Sequence, residues 1–330
     1  MTYVPADPPD ALPTEADVGE ADHRIRPFVP KSPYRRSQPW SGLLGAEVWF
    51  KEEQYLPSGS FKLRGAFNKL LTLDDRVRAA GVVAASSGNH GAAVAHAAAV
   101  LGIPACVYVP EGASPAKVDK IRGKGAEVVW FGTDGLDTEI EARAAAARRG
   151  ATYVSPYNDA AVMAGQGSLA VELLRQGPAP DRIYIAVGGG GLIGGVALWL
   201  RAHAPSVRIV GALPANSPVM ADSVRAGHIV EMPTTPTLSD GTAGGIEAGA
   251  ITFPVCRDLV DEWVTVLEDE IADAMRAWAA TEPGTIEGAA GVALAALRRD
   301  APQLKGQRIA VVVCGGNIPA ERWAVVIQRV

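Results

Sequence analysis

A run of four consecutive glycines, residues 188–191, constrains the fold of this chain more than any other feature. The run follows an apolar β-type stretch, residues 183–187, and precedes an apolar helical pattern, residues 192–198. Together these pieces predict a strand, a tight turn and the start of a helix. Glycine leaves backbone N–H groups unobstructed and the helix adds the positive end of its dipole, so the turn is suited to a phosphate group.

Known phosphate-binding loops narrow the choice of phosphate. A nucleoside-triphosphate loop would end in Gly-Lys-Ser or Gly-Lys-Thr. In this chain Leu192 and Ile193 follow the glycines, so a nucleoside-triphosphate loop is excluded. Gly189, Gly191 and Gly194 have the dinucleotide spacing, but that motif needs an acidic residue at the end of the next strand, and residues 207–213 end in leucine. A small phosphorylated cofactor without a ribose remains, with a tight structural turn as the alternative.

A second segment, residues 58–66, places Lys62 between Phe61 and Leu63. Partial burial would disfavour the charged form of its amine and make the nitrogen nucleophilic near neutral pH, as Schiff-base chemistry requires. A solvated surface lysine is the alternative, since lysine is rarely buried.

A third segment, residues 86–91, follows the β-type run 81–85 and opens a helical pattern that continues to Leu101. Its hydroxyl groups, amide side chain and free N–H groups lie at a helix N-terminus, which suits a carboxylate. Ordinary helix capping is the alternative.

Taken together, these segments resemble the pyridoxal-phosphate enzymes of fold type II, the tryptophan synthase β-subunit family, and within it the threonine/serine dehydratase and serine racemase branch. The match runs in order across nearly the whole chain. Each landmark is weak alone, but their joint order and spacing are specific. The landmarks are residues 58–66, 86–91, 164–167, 188–192, 239–241, 287–291 and 314–317.

The resemblance implies pyridoxal 5′-phosphate as the cofactor. Lys62 matches the lysine that forms the internal aldimine and, once displaced by substrate, removes the Cα proton. Phe61 would border the ring, and Asn89 would hydrogen-bond its 3′-hydroxyl. The phosphate would be held by Gly188, Gly189, Gly190, Gly191 and Leu192, and further cofactor contacts are expected from Gly241, Glu287, Cys314 and Gly315.

The resemblance also assigns the substrate contacts. The substrate carboxylate would be bound through backbone and side-chain donors of Ser86, Ser87, Gly88, Asn89 and His90. Ser87 aligns with the serine that acts as the opposite-face acid/base in serine racemase, which makes it the second catalytic candidate. Tyr157 is a candidate pocket wall, with simple packing as the alternative.

Cys314 ends a β-type run, and its position matches the residue that faces the pyridine nitrogen of the cofactor. That residue is serine in many members and cysteine in liver-type serine dehydratase. A neutral thiol cannot keep the nitrogen protonated as an aspartate would, so rapid loss of a β-leaving group is favoured over a long-lived carbanion. A small core residue at the end of a buried strand is the alternative.

The implied reaction is α,β-elimination by a lyase of the ammonia-lyase type. Lys62 takes the Cα proton, the β-hydroxyl leaves as water with help from the cofactor phosphate, and the aminoacrylate hydrolyses to a 2-oxo acid and ammonia. L-threonine and L-serine are the default substrates, and bulkier ones such as phenylserine stay open. The rival functions are an amino-acid racemase and, more remotely, a non-catalytic protein that binds pyridoxal phosphate or an amino acid.

Two departures from the family pattern modify these expectations. Several relatives carry a metal-binding glutamate where this chain has Leu213, and no carboxylate lies within residues 213–218, so we expect no divalent cation there. The chain ends soon after residues 314–317, which leaves no room for the regulatory domain of biosynthetic threonine dehydratase. We therefore expect no feedback by isoleucine and a role in amino-acid catabolism or a specialised pathway.

The alternation of β-type and helical runs predicts an α/β fold with two parallel-sheet domains, covered by helices on both faces. Residues 81–158 form the predicted small mobile domain, set into a large cofactor-binding domain of residues 1–80 and 159–330. The cofactor would lie between them at the carboxyl ends of strands. The predicted strands are residues 81–85, 105–109, 127–131, 183–187, 207–212 and 309–314.

Composition fits a globular enzyme. The 330 residues are 48% hydrophobic, and the net charge of −5 without a basic stripe argues against nucleic-acid or anionic-membrane partners. No stretch is apolar over a bilayer-spanning length, and residues 1–20 lack a signal pattern, so we expect a cytoplasmic protein whose first twenty residues lack fixed structure. Cys106, Cys256 and Cys314 are expected to be reduced thiols. Expected partners are an amino-acid substrate and further copies of the chain, in a homodimer or larger homo-oligomer.

Overall fold

Six strands form the larger of two sheets in the computed structural model of the chain, which describes residues 11–328. They are β1 Tyr34–Arg36, β2 Glu47–Glu52, β7 Arg182–Ala186, β8 Arg208–Pro214, β9 Glu262–Val266 and β10 Arg308–Val313. Their order is β1-β2-β10-β7-β8-β9, and every neighbouring pair is parallel except β1 with β2. Because β7 and β10 are neighbours, the segments that follow them, 187–191 and 314–317, emerge side by side.

Four shorter strands form a second, fully parallel sheet. They are β3 Val82–Ala85, β4 Ala105–Val109, β5 Glu127–Trp130 and β6 Thr152–Tyr153, in the order β5-β4-β3-β6. All four fall within the predicted small domain, whose boundaries at 81 and 158 stay a prediction.

Fourteen α-helices lie between residues 11 and 328. They are α1 Glu15–Ile25, α2 Gln38–Leu44, α3 Lys62–Thr72, α4 Asp75–Ala80, α5 Asn89–Leu101, α6 Pro115–Arg122, α7 Gly135–Arg149, α8 Ala160–Gln176, α9 Gly191–His203, α10 Val219–Ala226, α11 Thr252–Leu259, α12 Glu268–Thr281, α13 Gly288–Arg299 and α14 Ala320–Gln328. None of the helices in this part of the chain has the length and apolarity needed to cross a bilayer.

The hydrophobic residues divide into a large core around the six-stranded sheet and smaller cores around the four-stranded one. Helix α3 belongs to the second group, because Leu63, Phe67 and Leu70 pack with Val94 of α5 and Val82 of β3. The helix that begins at the candidate lysine is thus built onto the four-stranded sheet, although it precedes residue 81.

The α/β fold and its six predicted strands are confirmed. Continuous apolar runs gave β3, β4, β5, β7, β8 and β10, each within a residue or two of the predicted bounds at either end. The remaining four strands, β1, β2, β6 and β9, were not predicted.

The expectation of an unstructured N-terminus is wrong from Glu15 onward. Helix α1 begins after Thr14, whose side chain and that of Asp17 form a reciprocal capping box. Val18 and Ala21 are fully buried and pack with residues of α8, which stabilises the helix against the core. Residues 1–10 lie outside the described residues.

Candidate active site

A cavity of about 470 Å³ lies between the two sheets, at the carboxyl ends of β3, β7 and β10. Parallel α/β sheets place their ligands at this edge. The cavity lining contains every predicted site residue except Gly315. The structure therefore brings the lysine, the glycine loop and the start of α5 into one space.

The glycine loop forms the turn from β7 into α9, and its glycines cannot be replaced without collision. Gly190 has a φ of 86°, in the left-handed region. A Cβ there would lie 2.8 Å from the sulfur of Cys256, and one on Gly188 would lie 3.0 Å from the Cα of Thr242. A Cβ on Gly189 would overlap the ring of Tyr157. The loop thus presents bare backbone to the cavity at the positive end of α9.

The landmark at residues 164–167 lies inside α8, and its glycines serve helix packing. A Cβ on Gly167 would lie 2.5 Å from the carbonyl oxygen of Gly195 in α9. A Cβ on Gly165 would lie 2.7 Å from the Cα of Gly65 in α3, whose N–H donates to Gln166 Oε1 at 3.1 Å. Helix α8 therefore holds the lysine-bearing helix and the glycine-loop helix at backbone contact distance.

Lys62 is held at the first turn of α3 by the segment after β10. Phe61 N–H donates to the carbonyl oxygen of Cys314 at 3.0 Å, and Ser60 forms an isolated bridge with Gly315. The Lys62 amine donates to the carbonyl oxygen of Pro156 at 2.7 Å. Burial lowers the pKa of Lys62 to about 8, although Cys314 and Glu287 act in the opposite direction. Lys62 thus combines a position in the cavity with a free-amine fraction near neutral pH.

A chain of amide groups links the lysine segment to the start of α5. Asn317 Nδ2 lies 2.8 Å from the carbonyl oxygen of Ser58 and 2.6 Å from Asn89 Oδ1. Gly59, at a φ of 80°, lies so close to Asn317 that a Cβ would overlap it. Asn317 was part of a quoted landmark but had no predicted role, and the structure shows that it orients Asn89.

Glu287 lies beside Asn89 and Cys314. Asn89 Nδ2 donates to its two carboxylate oxygens at 2.7 and 2.9 Å, and the Cys314 sulfur lies 4.0 Å from Oε1. Burial raises the pKa of Glu287 to about 7, and burial together with Glu287 raises the pKa of the Cys314 thiol. Gly315 packs under this carboxylate, since a Cβ there would lie 2.6 Å from Oε1. Gly315 shapes the site from behind and does not line it.

The start of α5 forms the candidate carboxylate site. Ser86 Oγ accepts from the N–H of Gly88 at 3.1 Å, and Ser87 and Asn89 are half-buried at the cavity wall. The first N–H groups of a helix have no helical acceptor, so a carboxylate at this end is stabilised.

One predicted substrate contact needs correction. His90 Nε2 lies 2.8 Å from the carbonyl oxygen of Val154, and burial lowers its pKa to about 3. The ring is therefore neutral and uses its single N–H on that carbonyl, which leaves Nδ1 as an acceptor. The side chain of His90 cannot donate to a substrate carboxylate in this arrangement, although its backbone N–H can.

Tyr157 lies across the glycine loop, as both a wall and a packing residue. Its ring covers Gly189, and its Oη accepts from the N–H of Glu247 at 2.9 Å. Burial raises its pKa, so the hydroxyl is neutral at physiological pH.

Sequence reasoning missed the charged residues at the cavity mouth. Lys117 and Lys120 of α6 line the cavity, and Lys117 Nζ lies 2.9 Å from Asp240 Oδ2. Lys120 donates to Asn317 Oδ1. Asp240 and Asn317 belong to the landmarks of the sequence, but the sequence analysis assigned no role to the two lysines. Only their contacts across the cavity distinguish them.

The absence of a divalent cation at Leu213 stays a prediction, and the structure gives only the surroundings of that residue. Leu213 is 1% exposed and packs in the large apolar core. Within residues 11–328, no group of three or more His, Cys, Asp or Glu side chains is arranged to hold a metal ion.

The donor set fits pyridoxal phosphate. The glycine loop is a cradle that any Cβ would obstruct, which suits a phosphate group. Lys62 supplies an amine with a lowered pKa in the same cavity, as Schiff-base formation requires. The residues that would hold the group are those of the glycine loop, Lys62, Phe61, Asn89 and Cys314.

Comparisons with known proteins agree with this chemistry. The sequence pattern of the family described as "Pyridoxal-phosphate dependent enzyme" matches residues 25–315. The L-threonine ammonia-lyase of Geobacter sulfurreducens is 41% identical over 313 residues, which cover 94% of this chain and 77% of that protein. The L-threo-3-hydroxyaspartate ammonia-lyase of Saccharomyces cerevisiae is 35% identical over 317 residues, which cover 96% of this chain and 97% of that protein.

A solved structure is similar to this chain over nearly its whole length. Maize serine racemase superposes with a TM-score of 0.89 at 35% sequence identity, over 94% of this chain and 95% of that one. The similarity to two ammonia-lyases supports an enzyme of the lyase class. Because the family pattern spans residues 25–315 and the structural match extends over both sheets, the chain belongs to the pyridoxal-phosphate-dependent enzymes of fold type II.

Proposed function

We propose that the protein catalyses α,β-elimination of a β-hydroxy-α-amino acid of the L-threonine or L-serine type and yields a 2-oxo acid and ammonia. The observation that carries this proposal is the Lys62 amine, whose pKa is lowered to about 8 in a cavity shared with the glycine loop and the start of α5. The ammonia-lyase relatives support the same reaction class.

The residues divide the work as follows. When bound, pyridoxal phosphate supplies an electron sink that acidifies the Cα proton of the amino acid. The N–H groups at the start of α5 bind the substrate carboxylate, and the glycine loop anchors the phosphate of the coenzyme. Lys62 accepts the Cα proton, because its lowered pKa leaves part of the amine uncharged near neutral pH. The β-hydroxyl then leaves as water by taking up one proton, which balances the proton removed from Cα. The released enamine adds water and yields the 2-oxo acid and ammonia.

Cys314 and Glu287 tune the same site in this proposal. Cys314 presents a protonated thiol, because burial and Glu287 both raise its pKa. A neutral thiol donates no full charge to a ring nitrogen, which favours prompt elimination over repeated proton exchange. Asn89 is held in place from both sides by Glu287 and Asn317, so it is oriented before any ligand arrives.

Racemisation is the second candidate function. Ser87 lies in the cavity wall at the start of α5, where its hydroxyl could deliver a proton from the face opposite Lys62. The similarity to maize serine racemase favours this candidate. The yeast relative likewise adds hydroxyaspartate to the substrates that merit testing.

The test is a substrate panel on the protein reconstituted with pyridoxal phosphate. We expect 2-oxo acid and ammonia in equal amounts from L-threonine or L-serine, with phenylserine and 3-hydroxyaspartate as the further members. Chiral analysis of the recovered substrate measures racemisation in the same reactions. Lys62→Ala is the matched control and should abolish turnover, because it removes the proton acceptor.

Three other outcomes would redirect the proposal. Inverted substrate without 2-oxo acid would identify a racemase. Loss of Ser87 that stops inversion but spares elimination would assign that residue to the second face. Coenzyme binding without turnover of any panel member would indicate a binding protein.

A cytoplasmic location, a catabolic pathway and assembly into a homodimer or larger homo-oligomer stay predictions. Light scattering tests the assembly.

A further inference from the structure

Residues 155–158, here called the connecting segment, contact both halves of the coenzyme site. The segment joins β6 of the four-stranded sheet to α8. The carbonyl oxygen of Pro156 accepts from the Lys62 amine at 2.7 Å, and the ring of Tyr157 lies against Gly189. The position of this segment therefore sets the surroundings of both the lysine and the glycine loop.

Glu247 fastens the connecting segment to the loop between α10 and α11. The N–H of Glu247 donates to Tyr157 Oη at 2.9 Å, and its carboxylate accepts from Asn158 Nδ2 at 2.9 Å. Asn158 Oδ1 in turn accepts from the N–H of Ile251 at 2.9 Å. Two consecutive side chains of the segment are thus held by three hydrogen bonds, two of which involve Glu247.

The other oxygen of Glu247 reaches the four-stranded sheet. Arg143 of α7 donates to Glu247 Oε1 at 2.8 Å, while its guanidinium lies 4.3 Å from the ring centroid of Tyr153. The Arg143 and Glu247 side chains are 28% and 12% exposed. Partial burial and stacking restrict the geometry of this pair, so it should contribute more than an exposed ion pair does.

We propose that Glu247 is a positioning residue for the coenzyme. Its backbone N–H bonds Tyr157 and its carboxylate bonds Asn158, so it holds the glycine loop and the Lys62 contact in the shape that accepts the phosphate. The same carboxylate bonds Arg143, which fixes α7 relative to the connecting segment. Glu247 itself is absent from the cavity lining, so its effect is transmitted through its neighbours. The proposal needs the pyridoxal-phosphate site and does not depend on which reaction follows.

The test measures the dissociation constant of pyridoxal phosphate by titrating the coenzyme-free protein and following the visible absorbance of the lysine-linked coenzyme. We expect Glu247→Ala to raise this constant about tenfold and Tyr157→Phe to raise it about threefold. Glu247→Gln keeps an acceptor for Asn158 and should restore part of the loss. At saturating coenzyme, the kcat of Glu247→Ala should stay within about twofold of the parent, because no reacting group has changed.

Two comparisons separate positioning from simple structural support. Glu141→Gln is the matched control, because Glu141 lies on the same helix but pairs with Arg148 and contacts neither Arg143 nor the connecting segment, and the coenzyme affinity of this variant should equal that of the parent. In the double variant Glu247→Ala/Asn158→Ala, the two losses should be less than additive, since both remove the hydrogen bond between the Glu247 carboxylate and the Asn158 amide.

The overturning results are specific. A lowered unfolding temperature of coenzyme-free Glu247→Ala with an unchanged dissociation constant would mean that the residue only supports the fold. Fully additive losses in the double variant would mean that the Glu247 carboxylate does not act through Asn158. Failure of the elimination assay would refute the proposed reaction, yet these affinities would still decide the role of Glu247.

Discussion

Glu287 shows how burial sets the protonation of a single side chain in this site. It is 6% exposed, and it receives two hydrogen bonds from Asn89 that favour the carboxylate. The cost of desolvation is larger, so the pKa rises to about 7. In the unfolded chain the pKa of a glutamate is about 4.3. Folding therefore favours the protonated form of Glu287 between these two values.

We predict that Glu287 makes the stability of the coenzyme-free protein fall as the pH rises. In this window the native state binds more protons than the unfolded state, so the free energy of unfolding decreases with pH, and the loss is complete above the native pKa of about 7. Between about pH 5 and about pH 8 the loss should be on the order of 2–3 kcal/mol. Glu287→Gln should remove it, as measured by urea unfolding across that range.

The control for this prediction is Glu321→Gln on α14. Glu321 is exposed, so removing its charge should leave the pH dependence of the parent intact. If Glu287→Gln and the parent lost the same free energy between the two pH values, the carboxyl would have to be ionised throughout, and the proposed protonation would be wrong.

Individual roles were harder to predict than the positions of the site residues. Residue types and order identified the lysine, the glycine loop and the start of α5, and the structure places them in one cavity. The side-chain role of His90 failed because it depends on Val154, which lies 64 residues away. The contacts of Glu247 and Lys117 were not predicted for the same reason, because their partners are distant in the sequence.

At the scale of elements, glycines set how closely helices approach one another. Helices α8 and α9 touch at Gly167 and Gly195, where a Cβ on Gly195 would overlap the carbonyl oxygen of Met163 and lie 2.7 Å from the Gly167 nitrogen. Helix α9 begins in the glycine loop, so its position determines where the phosphate cradle lies.

We predict that Gly195→Ala destabilises the protein and weakens coenzyme binding together. The added methyl group must push α9 away from backbone atoms that cannot yield, which should cost about 1–3 kcal/mol. Because the shift is carried to the N-terminus of α9, the affinity for pyridoxal phosphate should fall as well. Thermal unfolding and coenzyme titration of the same preparation measure the two effects.

Gly42 provides the comparison for that substitution. It lies in α2, and a Cβ built on it meets nothing within 4 Å. Gly42→Ala should be neutral or stabilising by up to about 1 kcal/mol, since alanine favours a helix over glycine. Equal behaviour of the two variants would show that helix propensity, and not the α8–α9 contact, governs Gly195.

The strands that sequence analysis missed share a physical cause. The predicted strands contain continuous apolar runs, and all of them except the edge strand β5 lie inside a sheet, so they are visible in the residue types. Strand β2 contains Lys51 and Glu52, which are buried because Lys51 bonds Glu172 and Glu52 bonds Arg35. Strand β6 has two residues, and β1 and β9 lie at sheet edges. Short, charged or edge strands depend on partners that the local sequence does not reveal.

At the scale of the whole molecule, charged contacts join the two sheets across the cavity mouth. Asp240 follows the large sheet's β8 and α10, and it pairs with Lys117 of α6 at 2.9 Å and with Arg322 of α14 at 3.3 Å. Lys120 of α6 reaches Asn317 in the segment after β10. These contacts hold α6 against the larger half in the arrangement that encloses the cavity.

We predict that Lys117→Met raises the KM for the amino-acid substrate while kcat changes little. The Lys117 and Asp240 side chains are 29% and 47% exposed, so the pair should contribute only about 0.2–1 kcal/mol. Because it favours the enclosed arrangement, its loss lowers the fraction of binding-competent protein and should raise KM about two- to fivefold. Added salt should raise the KM of the parent toward that of the variant, since it screens the same pair. The control is Arg122→Met, which lies on the exposed surface of the same helix and outside the cavity lining and should leave KM unchanged. An equal KM for Lys117→Met and the parent would show that the contacts at the cavity mouth do not control closure.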